Sequence, residues 1–184
     1  MKDHLEAVVH LQNIVNPEFL KRLKIFIDKK AKNKLTVGSD LKTNINIRNV
    51  KGYYLNTNTP TNLFYWNVIK NEIERLFPLY TSKFPLLKSK KLDQVDLLKY
   101  EPNGKYEIHT DDDTSSPRAL SIILNINDDY DGGDLVFTDQ KHNEIKTVKL
   151  TKGSIVFFPS NFMYPHAIKP ITKGKRYSIV AWLR

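Results

Sequence analysis

His109 and Asp111 stand two residues apart in the run Tyr106-Glu107-Ile108-His109-Thr110-Asp111. Side chains alternate between the two faces of a β-strand, so on a strand these two point the same way. An imidazole nitrogen beside a carboxylate oxygen supplies two of the three protein ligands of a facial iron(II) site, whose open positions accept a bidentate co-substrate and O2. The third ligand must then come from a distant strand, and Met163-Tyr164-Pro165-His166 offers His166. A structural zinc site would instead be closed by four protein ligands. Taken alone, His-x-Asp also describes an ordinary surface strand running into a solvated acidic turn, Asp111-Asp112-Asp113. Asp112 would face away from His109, His142 reads as a hairpin-loop residue, and His10 reads as structural.

A second feature lies ten residues after His166, in Lys175-Arg176. On one strand Arg176, Ser178, Val180 and Trp182 share a face, and Lys175 points the other way. A guanidinium pairs bidentately with a carboxylate, and a hydroxyl at Ser178 could donate to the same oxygens. The plain alternative is a surface arginine beside a turn.

Several elements must position these side chains. Ala7-Val8-Val9-His10-Leu11 reads as a short strand, and Asn16-Pro17 starts an amphipathic helix through about Lys30. Residues 31–60 predict one or two short strands or a long loop, with Tyr53 and Tyr54 in a 36–58 segment expected to border the substrate mouth. Thr61 or Asn62 is expected to cap a second helix carrying Trp66, Ile69, Ile73 and Leu76 on its core face, ended by Pro78. From Leu92 onward, β-like runs fall near 92–100, 105–111, 118–126, 134–137, 145–150, 154–158, 164–169 and 175–183. Asn103-Gly104, Asp131-Gly132-Gly133, Lys152-Gly153 and Lys173-Gly174 read as the turns between them. The expected fold is mainly β, a jelly roll with supporting N-terminal helices packed on one face. Residues 1–91 form the support region and 92–184 the core of one domain.

At 184 residues, 40% hydrophobic and 27% charged, the chain has the composition of a soluble globular protein. With no cysteine, disulfides, thiolate metal sites and a cysteine nucleophile are excluded. No apolar signal-peptide core opens the chain and no run is long enough to span a bilayer, so a cytoplasmic protein without membrane contact is expected. Residues 1–100 hold 18 Lys+Arg against 9 Asp+Glu, and the rest is balanced at 11 of each, so the net charge of +9 sits in the first half. Its dense spots are Lys29–Lys34 and Lys88–Lys91. This is a solvated face or a surface for an acidic partner, and no aromatic-basic module for nucleic acid accompanies it.

The motifs of residues 92–184 together resemble the iron(II)/2-oxoglutarate-dependent oxygenases, specifically the prolyl 4-hydroxylase branch. The matching pieces run from Tyr100-Glu101-Pro102-Asn103-Gly104-Lys105-Tyr106 to His109-Thr110-Asp111, then from Arg118 through Leu124-Asn125. Gly132-Gly133-Asp134-Leu135-Val136-Phe137, Gly153–Pro159, and Pro165-His166 through Arg176-Tyr177-Ser178 follow in the family's order. The resemblance implies a double-stranded β-helix, iron bound by His109, Asp111 and His166, and the distal carboxylate of 2-oxoglutarate held by Arg176 with the Tyr100 hydroxyl and Ser178. Collagen-type enzymes usually carry lysine at the anchor, and Arg176 with the following Tyr177–Trp182 is closer to the oxygen-sensing prolyl hydroxylases. Ile123 departs from the family, where many relatives carry tyrosine. The implied activity is a dioxygenase that hydroxylates prolyl residues in a protein or peptide, consuming O2 and forming succinate and CO2, with ascorbate as reductant. Hydroxylation of a free amino acid or other small molecule, oxidative nucleic-acid demethylation, and a catalytically silent jelly-roll binding module are the alternatives. A demethylase usually has a further arginine six residues after the anchor, where this chain has Trp182.

Overall fold

A computed structural model of the chain describes residues 3–36, 43–88, 91–112 and 117–184. Parts of the 36–58 segment, of the Lys88–Lys91 spot and of the Asp111–Asp113 turn lie outside the described residues. The N-terminal half supplies β1 (Val9–Leu11), α1 (Pro17–Lys30), β2 (Asn33–Lys34), β3 (Arg48–Asn49), β4 (Lys51–Tyr54) and α2 (Pro60–Thr81). The second half supplies β5 (Leu92–Tyr100), β6 (Lys105–His109), β7 (Leu120–Asn125), β8 (Tyr130–Gly132) and β9 (Leu135–Thr138). It continues with β10 (Glu144–Val148), β11 (Ile155–Pro159), β12 (His166–Ile168), β13 (Ile171–Gly174) and β14 (Arg176–Leu183).

Among the described residues the strands form a major sheet, ordered β1-β11-β7-β14-β5-β4-β2, and a minor sheet, ordered β10-β9-β12-β6-β3. A third pair is β13-β8, and neighbours within the sheets are antiparallel. Strand alternation divides the apolar residues into two cores. Leu120, Ile122 and Leu124 of β7, with Tyr177, Ile179, Ala181 and Leu183 of β14, face α1 and α2. Leu98, Tyr100, Ile123, Val156 and Phe158 face the minor sheet and pack on Leu135, Phe137 and Ile168. This is the expected jelly roll with helices on one outer face. The N-terminal half does more than support it, because β1, β4 and β2 extend the major sheet and β3 closes an edge of the minor one.

Three local expectations need correction. α2 begins earlier than predicted: Thr59 is the N-cap, accepting from the Asn62 N–H at 3.2 Å, with Pro60 in the first turn. It also runs past Pro78 to Thr81. Tyr80 explains the extension, since it is buried against Phe157 and its hydroxyl donates to the Ala7 carbonyl at 3.1 Å. Tertiary packing there outweighs the lost hydrogen bond of a late proline. Finally, the glycine runs read as turns at 131–133 and 173–174 contribute to paired strands, β8 and β13. A Cβ on Gly132, at φ +77°, would lie 2.3 Å from the Pro170 carbonyl oxygen, so glycine is what lets these two backbones meet.

An ion pair joins α1 to the major sheet. Lys99 of β5 is 6% exposed, and its Nζ lies 2.8 Å from Asp28 Oδ1, which also accepts from the Tyr177 hydroxyl at 2.8 Å. These two donors hold the Asp28 carboxyl at about 2, below its ordinary value. The stability this adds is present above about pH 4 and is lost as pH falls toward 2. Asp28→Asn is expected to cost about 1–2 kcal/mol at neutral pH, less than for a fully buried pair because Asp28 is partly exposed. Thermal melts across pH check it: the variant's deficit should shrink in the acid window, and a deficit that does not depend on pH would refute the ion-pair account.

Candidate metal centre and co-substrate pocket

The pairing of β12 with β6 puts His166 directly opposite His109. Each ring's Nδ1 donates to a backbone carbonyl, His109 to Glu107 at 2.8 Å and His166 to Tyr164 at 3.0 Å. That fixes the tautomer and leaves the Nε2 lone pairs facing one point. Asp111 follows the end of β6, with Oδ1 3.5 Å from His109 Nε2 and Oδ2 3.7 Å from His166 Nε2. One ligand atom from each of the three lies within 4.8 Å of the others. His142 sits in the β9–β10 loop at φ +66° and His10 on β1, and neither belongs to this group.

The protonation states suit a metal. Burial raises the Asp111 carboxyl, but His166, His109 and the Ser121 hydroxyl outweigh it and hold the group well below the usual carboxylate range. Burial and the neighbouring His109 push His166 down to about 4, so its imidazole is neutral at physiological pH. An ionised carboxylate and neutral imidazoles are the ligand forms that bind a divalent cation.

Residues that the sequence reading did not single out as site residues hold Asp111 in place. Ser121 Oγ donates to Asp111 Oδ2 at 2.6 Å and lies 2.8 Å from Ser160 Oγ. Arg118 Nη1 donates to the Asp111 carbonyl at 2.9 Å, and Asp112 accepts from the Arg118 N–H at 3.0 Å. Ser121 shares the inward parity of Ile123 and Asn125, so a polar residue on the inner face of an apolar strand was the available signal.

The triad lines a cavity together with Tyr100, Arg176, Tyr106 and Trp182. Arg176 is 1% exposed. Its Nε donates to Asn125 Oδ1 at 3.0 Å, and its guanidinium lies 5.0 Å from the Tyr100 ring. Among the described residues no carboxylate pairs with it, and both Arg176 Nη1 and Ser178 Oγ are buried without a hydrogen-bond partner. Unpaired buried donors beside a metal-binding triad fit an anionic co-substrate that chelates the metal at one end. Ile123, the departure from the family pattern, contributes an apolar wall.

The other rim comes from the N-terminal half. Arg48 of β3 lies over the Tyr106 ring at 4.7 Å, and Tyr106 stacks on His109 at 3.6 Å. Asp96, 1% exposed, is pushed up to about 6 by burial, against the opposing pull of Gln94, Arg48 and Arg118. Tyr54 pairs with Asp96 across β4 and β5, and its hydroxyl lies 3.4 Å from Thr36 Oγ1, whose backbone carbonyl accepts from Arg48. Tyr53 corrects the expectation that both tyrosines border the mouth. It packs against the helix-side core, and its hydroxyl accepts from Asn62 Nδ2 at 2.9 Å.

Residues 95–184, which contain the triad and Arg176, match the 2OG-Fe(II) oxygenase superfamily. The match takes in a little under half of the chain. Within it, the similarity runs to prolyl and PKHD-type hydroxylases. Human prolyl 3-hydroxylase 2 is 35% identical over 66 residues, covering 35% of this chain and 9% of that protein. A PKHD-type hydroxylase of Synechococcus is 29% identical over 93 residues, 46% of this chain and 40% of its own length. The chain thus spans less than half the length of these curated relatives. A Pseudomonas putida prolyl-4-hydroxylase structure covers 99% of this chain and 96% of its own at 20% identity and a TM-score of 0.75. A Trichoplax adhaerens prolyl hydroxylase, solved with a hypoxia inducible factor peptide fragment, covers 98% and 86% at 15% identity and a TM-score of 0.76. At these identities the two structures establish a common fold.

Proposed function

We propose that the chain is an Fe(II)- and 2-oxoglutarate-dependent hydroxylase of prolyl residues in a protein or peptide. The observation that carries this reading is one cavity that joins a His-Asp-His triad to a buried arginine with a free donor, with the unpartnered Ser178 hydroxyl two residues further along the same strand. Fe(II) bound with 2-oxoglutarate and O2 supplies the oxidising power for hydroxylating an unactivated C–H bond, with succinate and CO2 as by-products. His109, Asp111 and His166 would hold the metal and leave one face open. Arg176 and Ser178 would receive the distal carboxylate, and Tyr100, whose phenol burial keeps protonated, lies beside them. Leu98, Ile123 and Ile168 line the cavity with apolar surface that excludes water. The prolyl substrate class rests on the relatives, and the peptide form on the fragment bound to the Trichoplax adhaerens enzyme.

Ascorbate would serve as reductant after uncoupled turnovers, and the basic first half would favour an acidic protein partner in the cytoplasm. Among the described residues no helix is long and apolar enough to cross a membrane. The test is incubation of a peptide library with enzyme, Fe(II) and 2-oxoglutarate, followed by mass spectrometry. A mass gain of one oxygen atom on proline, coupled to succinate, supports the reading. Succinate without a modified peptide, and with a hydroxylated free amino acid, would replace the substrate class.

A further inference from the structure

The strand ladder fixes two of the three metal ligands, since His109 and His166 face each other across β6 and β12. Asp111 lies two residues past the end of β6, so contacts outside the ladder must set its backbone. The neighbouring Asp112 N–H donates to the Ser160 carbonyl at 3.0 Å, and Arg118 Nη1 donates to the Asp111 carbonyl at 2.9 Å. Arg118 itself stands two residues before β7 and needs fixing in turn. Its guanidinium lies over the Trp182 ring at 3.9 Å, and Nη2 donates to Gln94 Oε1 at 3.0 Å. Gln94 Nε2 then donates to Asp96 Oδ1 at 2.7 Å. Asp96 is 1% exposed, and its Oδ2 lies 3.7 Å from Arg48 Nη2. One hydrogen-bonded path therefore runs from a buried carboxylate on β5 to the backbone of the only metal ligand outside the ladder.

We infer that Gln94 is a positioning residue for the metal centre: anchored by Asp96, its amide oxygen holds the Arg118 guanidinium on the Asp111 carbonyl and so keeps the Asp111 carboxylate aimed at the two imidazoles. The inference rests on the metal-binding part of the reading above and is independent of the substrate. The direction of the path follows from donor chemistry. An ionised carboxylate only accepts and a guanidinium only donates, so the amide must turn its NH2 to Asp96 and its oxygen to Arg118. A glutamine is suited to join these two groups because it offers both. The Arg118 side chain is long and flexible, and its planar fork is set only when both ends are engaged. One terminal nitrogen meets Asp111 and the other meets Gln94. Ser121 holds the Asp111 carboxylate from its own side, so the backbone and the side chain of this ligand are fixed by separate groups.

A structural role, in which Gln94 only satisfies Asp96, makes a different prediction, and a double-mutant cycle with Arg118 separates the two. The variants are Gln94→Leu, Gln94→Glu, Arg118→Met and the double Gln94→Leu/Arg118→Met. Mn(II) is the probe, titrated in the full chain at a pH above the Asp96 value, with affinity and the Mn(II) EPR line shape as readouts. Circular dichroism and melting report the fold, and Gln94→Met, which also lacks the amide, takes the place of Gln94→Leu should that variant not fold. A group that orients a metal ligand is worth about 10–100-fold in metal affinity, and Gln94 acts one contact further out, so Gln94→Leu should weaken Mn(II) binding by about tenfold and alter the line shape. Gln94→Glu keeps the acceptor facing Arg118, and a proton shared with Asp96 replaces the lost N–H, so it should bind Mn(II) close to wild type. If Gln94 acts through Arg118, the double variant should be no weaker than Arg118→Met alone. Wild-type affinity and line shape in Gln94→Leu, the same tenfold loss repeated in the Arg118→Met background, or Gln94→Glu as weak as Gln94→Leu would each overturn the inference. Wild-type protein that binds no divalent metal would overturn the metal centre and this inference with it. Wild-type protein that binds Mn(II) but forms no succinate with Fe(II) and 2-oxoglutarate would overturn the hydroxylase reading alone, and the Mn(II) cycle would still decide the role of Gln94.

Discussion

Asp111→Ala is expected to abolish turnover and to lower divalent-metal affinity by at least about 10²-fold, while the fold survives. Disturbing a group that merely orients a metal ligand already costs about 10–100-fold, and Asp111 is the triad's only anionic ligand. Without it the imidazoles of His109 and His166 would have to hold a dication unaided. Its neighbours give a graded control. Ser121→Ala leaves the carboxylate but frees Oδ2 from the hydroxyl 2.6 Å away, and its effect on metal affinity should fall in that 10–100-fold range. Anaerobic Mn(II) or Fe(II) titration of both variants checks the order, beside circular dichroism for the fold. Undiminished metal binding in Asp111→Ala would remove it from the centre.

The triad was legible because its logic is local. Strand periodicity points to His109 with Asp111 and to Arg176 with Ser178, and the pairings of β6 with β12 and of β14 with β5 bring His109, His166 and Arg176 to one cavity, which Asp111 joins from just past the end of β6. The inner and outer faces of β7 and β14 were legible for the same reason, since each strand has one face on the helix-side core. Arg48 was not, because its placement depends on a two-residue strand meeting β6 across more than fifty residues of sequence. Asp96 is buried beside Gln94 and Arg48, and the second of these contacts depends on the same strand. The extension of α2 beyond Pro78 likewise depends on Tyr80 finding Phe157. Local signals predict what a residue favours. Long-range pairing decides these exceptions, and they gather around one rim of the site.

Arg176→Ala is expected to raise the 2-oxoglutarate requirement by about 10²–10³-fold, the equivalent of roughly 3–4 kcal/mol for truncating one partner of a buried ion pair. The protein alone holds this guanidinium at 1% exposure against Asn125 and the Tyr100 ring, with no carboxylate beside it among the described residues. A buried cation without a counter-ion is unfavourable, so the free protein should lose little stability on its removal. The energy of the pair is realised only when a dicarboxylate enters. Two measurements follow from this asymmetry. Unliganded wild type and variant should melt at similar temperatures. With Zn(II) and 2-oxoglutarate at a hundred times the wild-type dissociation constant, wild type should gain about 2.7 kcal/mol and the variant well under 1. Metal binding should be retained in both, since Arg176 donates no ligand to the triad. Arg176→Lys should be milder: an ammonium keeps the charge and loses the bidentate geometry. Equal stabilisation of wild type and Arg176→Ala by 2-oxoglutarate would exclude this residue as the anchor and leave the unpaired Arg176 Nη1 and Ser178 Oγ without a ligand to account for them.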